Sequence, residues 1–209
     1  MIVVGFDPGG AGGGTGKSGV AIINYCNSKN ITANVKTVNS VEMALKWVGE
    51  FKYSSIDALG VDTLLSWSSY KGGWRSVDKY LRRAYPNVKN SVISPNALYG
   101  AMALQGVLLA IKLKLVYKDL VLNETHPKVQ YYSILQTKYN WNANNTSMSS
   151  WLLQRIGISN IVINNDNEWD ALFSAWATYM GVHKLWTKNL SRTYKSLYYP
   201  AGVSNYYWP

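Results

Sequence analysis

The chain begins MIVVGFDPGG (residues 1–10) and runs on as AGGGTGKSGVAIINY (residues 11–25). Ile2–Phe6 is a continuous apolar run rich in β-branched residues, the composition of a strand buried on both faces. Asp7 ends that run, and Pro8 to Gly16 make a glycine-rich turn. Val20–Tyr25 is a second β-branched run, and Ile31–Val38 alternates well enough to be a third. Both connections are short, so an antiparallel meander is expected, with a carboxylate at the end of its first strand.

Downstream, Ser40–Phe51 has a Ser cap, Glu42 in its first turn, and Val41, Ala44, Leu45 and Val48 at helical spacing. Ala58–Leu65 returns to strand character around Asp62. Ser76–Tyr85 and Ala97–Leu115 are expected helices, the second preceded by Ser94-Pro95-Asn96. Asp119–Asn123 reads as a strand, followed by Glu124-Thr125-His126-Pro127 and a helix to about Gln136. Asn140–Asn145 is an expected loop, with Thr146 or Ser147 capping a helix that ends near Gly157. Asn167–Leu185 is the clearest helix, with Trp169, Leu172, Phe173, Trp176 and Met180 on one stripe. Three strands and a helix, then strands alternating with helices, describe a mixed sheet covered by helices.

Ala11–Ser18 satisfies the loose phosphate-binding loop pattern, with Ala for the first Gly. That motif works by aiming the amides at a helix N-terminus at phosphate. Here Gly19-Val20-Ala21-Ile22-Ile23 follows, which is strand chemistry. A nucleotide-binding phosphotransferase or NTPase is therefore the weaker reading of the Gly-rich loop 11–18. A hairpin connection with Lys17 near a substrate phosphate is the simpler one.

The acidic residues are few, 11 Asp+Glu against 21 Lys+Arg, so their positions are informative. Asp7 is followed by a rigid Pro-Gly turn, and Asp62 lies in an apolar run. Glu124 closes the last expected strand. Asp170 lies in the first turns of the strongest helix, flanked by Asp166 and Glu168. Taken singly, Asp7 could make an Asx turn and the helix acids could serve as caps. Taken together, two carboxylates about 4 Å apart repel by roughly 4 kcal/mol at an effective dielectric near 20, so a cluster needs a cation. Hard oxygen donors with only two histidines favour Mg²⁺ or Mn²⁺ over zinc. Two such ions could activate water and stabilise the leaving oxygen of a phosphodiester.

The opening strand, Asp, glycine-rich turn and Gly19-Val20-Ala21 resemble the RNase H-like superfamily, and more distantly RuvC-type Holliday-junction resolvases. Val61-Asp62-Thr63-Leu64, Arg75-Ser76-Val77-Asp78 with Arg82, Glu124-Thr125-His126-Pro127 and Asp170-Ala171-Leu172 are similar to an uncharacterised family of predicted RNase H-like nucleases. The resemblance spans residues 1–182. It implies an α/β fold with a mixed five-stranded sheet flanked by helices and Asp7 on its central strand. It also implies Asp7, Asp62 and Asp170 as metal ligands, with Glu124 nearby as a fourth ligand or positioning base. The first loop is richer in glycine than the family's, Thr63 stands where a small residue and proline are usual, and the aromatic tail has no counterpart.

A formal charge of +10, with 9 Trp and 16 Tyr, suits a polyanionic partner, nucleic acid first and an anionic membrane surface second. Arg75, Lys79 and Arg82 are expected on one helix face beside Trp74. With Lys17 they are candidate nucleic-acid contacts, basic side chains following phosphates and rings stacking on bases. Lys184, Lys188, Arg192 and Lys195 form a second basic stripe. His126 and Glu168 are accessory candidates, His126 as an orienting group or proton carrier.

One cysteine, Cys26, excludes an intramolecular disulfide. No basic n-region precedes the first strand, and no apolar stretch reaches the roughly 18–20 residues a membrane helix needs, so an intracellular, cytoplasmic protein without membrane association is expected. Residues 1–209 are read as one RNase H-like domain, with a basic and aromatic insertion at about 67–95 and an aromatic tail at 190–209. The functional expectation is a Mg²⁺- or Mn²⁺-dependent endonuclease acting on DNA or RNA, structure-selective in the manner of a junction resolvase. A homodimer is open because resolvase-like enzymes act as pairs. The alternative from another class is an RNase H-like nucleic-acid-binding module without catalysis.

Overall fold

The computed structural model describes residues 1–9, 17–26, 30–69, 71–93, 100–159, 161–193 and 197–209. Most of the glycine-rich loop, Ser94-Pro95-Asn96, the expected helix start at 97–99, and Lys195 lie outside the described residues. The strands are β1 (Ile2–Asp7), β2 (Ser18–Tyr25), β3 (Ile31–Val38), β4 (Ala58–Val61), the two-residue β5 (Trp67–Ser68), β6 (Val121–Glu124) and the two-residue β7 (Lys188–Asn189), β8 (Leu197–Tyr198) and β9 (Tyr207–Trp208). The helices are α1 (Val41–Glu50), α2 (Ser76–Ala84), α3 (Gly100–Val116), α4 (Pro127–Leu135), α5 (Trp141–Ile156) and α6 (Asp166–Val182).

Five strands form one sheet in the order β3-β2-β1-β4-β6. β1 pairs antiparallel with β2, and β2 with β3, whereas β4 runs parallel to β1, and β6 to β4. This is the mixed five-stranded α/β sheet flanked by helices expected from the sequence, with β1 in the middle. β2 begins at Ser18, so Lys17-Ser18 enters a strand and not a helix. The helix N-terminus that a phosphate-binding loop requires is not there.

Pleating sends alternate residues to opposite faces. Val4, Phe6, Val20, Ile22, Leu59 and Val61 pack against α1 and α3. Val3, Ala21, Ile23 and Ala58 face α5 and α6. Each buried Val, Leu or Ile contributes about 1.5–3 kcal/mol, so the sheet is clamped from both sides.

On the α6 face the sheet is floored by glycine. A Cβ added at Gly5 would stand 1.9 Å from the Ala171 carbonyl oxygen, and one at Gly19 would stand 1.9 Å from that of Asn167. At Gly60, the register partner of Gly5, it would lie 2.3 Å from the Ser174 oxygen. Backbone therefore meets backbone, and α6 approaches more closely than any side chain would permit. α6 is consequently buried on nearly all sides along Glu168–Thr178, wider than the stripe expected from periodicity. Thr178 is satisfied there: its Oγ1 donates to Ser174 O (2.8 Å) and accepts from Asn123 Nδ2 (3.0 Å).

Two segments differ from expectation. α5 starts at Trp141, because the Asn140 side chain accepts from Ala143 N and caps it, and the asparagine run continues as helix with a kink at Asn144. Part of the aromatic tail is interior: Leu190, Tyr206 and Trp208 form a third apolar cluster with Val77, Leu81, Val88, Val92, Val129 and Tyr132, whereas Tyr198 is exposed. Trp208 is fully buried, and its Nε1 donates to Tyr85 Oη at 2.8 Å. The rings of the insertion and tail thus hold these two segments together.

Gly60→Ala is expected to lower stability by about 3 kcal/mol through overpacking, a fall in Tm of roughly 6–12 °C. Gly49→Ala near the end of α1, where nothing lies within 4 Å, should instead raise stability by roughly 0.5–1 kcal/mol. Thermal unfolding of the two variants checks both.

Candidate functional site

The register of the parallel strands decides which carboxylates meet. Phe6 is level with Val61, so Asp7 and Asp62 follow at the same height on neighbouring strands, and Asp62 N donates to Phe6 O at 2.9 Å. Both continue the alternation of Gly5 and Gly60 and so face α6. Asp170 is on α6, one residue before Ala171, whose carbonyl meets Gly5. All three aspartates are buried or nearly so beside the C-terminal ends of β1 and β4; Asp7 is 5% exposed and Asp170 2%.

Their ionisation records the crowding. Burial raises the Asp7 carboxyl well above the usual carboxylate range, and Asp62 and Asp170 raise it further. Burial pushes Asp62 up to about 7, although Lys128 opposes the shift. Asp170 is raised by burial and by Asp62, again against Lys128. Lys128 is the cation whose charge opposes these shifts, without an ion pair to any of the three within 4 Å. Asp170, Asp62 and Asp7 hold its ammonium above the usual lysine range, and its Nζ lies 5.2 Å from the centre of the Tyr139 ring. The Tyr139 hydroxyl is raised by burial and by the same carboxylates.

Neither Lys128 nor Tyr139 was singled out from sequence. A signal existed for Lys128: Pro127 at the first helical position places the next residue in the opening turn of α4, beside the sheet edge. None existed for Tyr139, in the loop before α5.

The expected role of Glu124 as a ligand is not met, for a reason of parity. Glu124 is level with Val61, and its side chain turns away from α6, where Arg75 takes both oxygens: Nη1 to Oε2 at 2.7 Å and Nη2 to Oε1 at 2.6 Å. The backbone amide of Leu65 adds a third bond, to Oε2 at 2.9 Å. The residue after β6, Thr125, faces α6 near the site, and its Oγ1 lies 2.7 Å from Ser174 Oγ.

Arg75 is likewise unavailable to a phosphate. It is 2% exposed and pairs with Asp78 (2.7 Å) as well as Glu124, while Nη1 donates to Ser66 Oγ at 2.9 Å. Burial alone would favour the neutral form, but Glu124 and Asp78 keep the guanidinium charged.

Of the other expected nucleic-acid contacts, Lys17 and Lys79 are exposed. Arg82 donates to Lys89 O (2.6 Å) and Val92 O (2.8 Å) and lies 5.2 Å from the centre of the half-buried Trp74 ring. The three basic residues therefore do not share an exposed face. In the second stripe, Lys184 and Lys188 are exposed. Glu168 is distant in role from the cluster: it accepts from Thr37 Oγ1 (2.8 Å) and Asn164 N (2.8 Å), tying the start of α6 to β3 and the preceding loop. His126 turns from Glu124 to Ser91 O, 3.0 Å from Nε2, and burial holds its pKa down at about 4.

The donors fit a hard divalent cation in kind. Asp7, Asp62 and Asp170 are carboxylates, and Asp170 Oδ1 is buried with no hydrogen-bond partner. Among the described residues no three acidic, His or Cys side chains already stand at the mutual spacing of a metal site.

No protein-family model matches the sequence, and no curated protein matches it. Among solved structures the chain is similar to Thermus thermophilus RuvC, with 13% identity and a TM-score of 0.48, covering 88% of this chain and 96% of that one. No helix among the described residues is long and apolar enough to cross a membrane.

Two outcomes follow. A carboxyl raised to about 7 on folding binds its proton more tightly when folded, so its contribution to stability is complete below about pH 4 and is lost as pH rises through 7. In EDTA, Tm should therefore fall between pH 5 and 8, and Asp62→Asn should flatten that fall and raise Tm at pH 8. Arg75→Met, which strands Glu124 and Asp78 without a counter-charge, should cost about 3–5 kcal/mol in denaturant unfolding.

Proposed function

We propose that this protein is a nuclease that hydrolyses phosphodiester bonds in DNA or RNA with two Mg²⁺ or Mn²⁺ ions held by Asp7, Asp62 and Asp170. The observation that carries the reading is three aspartates in mutual repulsion, Asp7 of β1 and Asp170 of α6 buried and Asp62 at the end of β4 half-buried. Such an arrangement opposes folding, and a divalent cation is what relieves it. The ions would supply a water nucleophile at neutral pH and stabilise the leaving oxygen.

The chain's own residues do the rest. The glycine floor fixes α6, and with it Asp170, against β1 and β4. Lys128 stays protonated at the site and, once cations neutralise the aspartates, is free to bind a phosphate oxygen of the backbone. Exposed Lys17 and Lys79 and half-buried Trp74 extend the contact along the strand. A branched, junction-like substrate cut by a pair of subunits is the finer form of the proposal, resting on the resemblance to resolvases.

One observation favours a second reading, a nucleic-acid-binding module without catalysis: Lys128 already supplies the carboxylates with a positive partner. Salt-sensitive binding that needs no metal and survives Asp7→Asn would support it.

The decisive assay mixes purified protein with linear and branched DNA and RNA in Mn²⁺. Wild type should cleave, and Asp7→Asn should lose about two orders of magnitude or more in rate. Equal product from both proteins refutes the catalytic assignment.

A further inference from the structure

Next to the aspartates lies a cavity of about 190 Å³ that the proposed chemistry does not use. Asp62 and Lys128 border it, so it is continuous with the candidate site, and the mutually paired Arg75, Asp78 and Glu124 border it too. Leu64, Val92, Met102 and Tyr206 give it an apolar wall. Thr63 and His126 also line it, and each carries a buried polar atom with no hydrogen-bond partner, Thr63 Oγ1 and His126 Nδ1. Buried polar atoms are ordinarily satisfied, so two orphans on one cavity are a cost that a ligand could remove.

The polarity of one orphan can be worked out. His126 Nε2 is 3.0 Å from Ser91 O, a carbonyl that can only accept, so the ring proton sits on Nε2. Burial keeps the ring neutral. Nδ1 is therefore a fixed acceptor, and the neighbouring Thr63 hydroxyl can rotate to donate or accept. A ligand satisfying both is apolar on its faces and carries an N–H donor on its edge. The cavity is too small for a drug-sized molecule, and sites of this kind orient a ring by a few convergent polar groups.

We infer that this cavity is a base-reading subsite, which takes one unstacked nucleobase bearing an exocyclic amine beside the phosphate presented to Asp7, Asp62 and Asp170. The amine donates to His126 Nδ1, and the Thr63 hydroxyl completes the edge. Adenine, cytosine and guanine carry such an amine, and the first two can be compared with close counterparts that lack it. Those deaminated counterparts, hypoxanthine and uracil, put a carbonyl oxygen against the Nδ1 lone pair, and repulsion replaces the bond. The inference names the substrate preference of the proposed nuclease site and rests on that reading only for the neighbouring phosphate.

Anisotropy binding of short fluorescent single strands in Ca²⁺ tests it, with deoxyadenosine compared with deoxyinosine, and deoxycytidine with deoxyuridine. Wild type should favour each amine-bearing strand by roughly tenfold or more, the discrimination ordinary for a base-edge contact. Thr63→Val, which keeps the side-chain shape and leaves the His126–Ser91 bond in place, and His126→Phe should each bring the ratio close to one. A wild-type ratio near one, or an unchanged ratio in both variants, overturns the subsite. Protein that cleaves in Mn²⁺ but shows no such ratio keeps the nuclease reading and loses the pocket. Protein that shows the ratio but never cleaves does the reverse.

Discussion

The structure depends on how closely α6 is allowed to approach the sheet. Gly5, Gly19 and Gly60 remove every side chain from the contact, so that helix backbone rests on strand backbone. Close packing of this kind is stiff. Asp170 cannot relieve its repulsion from Asp7 and Asp62 by withdrawing, because α6 would have to lift off the three strands together. Burial then raises the cost of ionising each group, and Lys128 offsets only part of it. Energy released elsewhere in the apolar layers, around Phe6 and Leu59 on one face and Trp169 and Phe173 on the other, holds the site in this unfavourable state.

A second constraint is the two-residue repeat of the strands. Asp7 and Asp62 occupy the same parity and face α6, whereas Glu124, level with Val61, faces the other way. One step along β6 separates a residue of the cluster side from a residue of the insertion side. Glu124 instead anchors the insertion: through Arg75 and Asp78 it ties the start of α2 to the end of β6. The tail closes over the same region through Tyr206 and Trp208. The wall of the cavity beside Asp62 is thus assembled from the central sheet, the insertion and the tail together.

Much of this was legible in the amino-acid order. Continuous β-branched runs at Ile2–Phe6 and Val20–Tyr25 and the alternation of Ile31–Val38 carry strand identity, and the short connections carry the meander. Asp7, Asp62 and Asp170 stood out because acids are scarce and each adjoins an apolar run. Glu124 and Arg75 misled for a shared reason. Pattern shows that a charged residue sits at a strand or helix end, but not which way it points, and a one-residue phase decides between cluster and ion pair. Composition left the Trp and Tyr residues open in the same way, since a ring that stacks on a base and a ring that fills a core look alike there, and rings such as Trp169 and Trp208 prove to be core. Lys128 and Tyr139 reach the aspartates only through the three-dimensional placement of α4 and the loop that follows it.

Whether the three aspartates serve a cation is answered most directly by a crystal of the protein soaked in Mn²⁺, with anomalous scattering recorded at the manganese edge. Anomalous peaks between Asp7, Asp62 and Asp170, with the Lys128 ammonium displaced from them, are the predicted result. A fully ordered site with no anomalous signal there at millimolar Mn²⁺ would contradict the account.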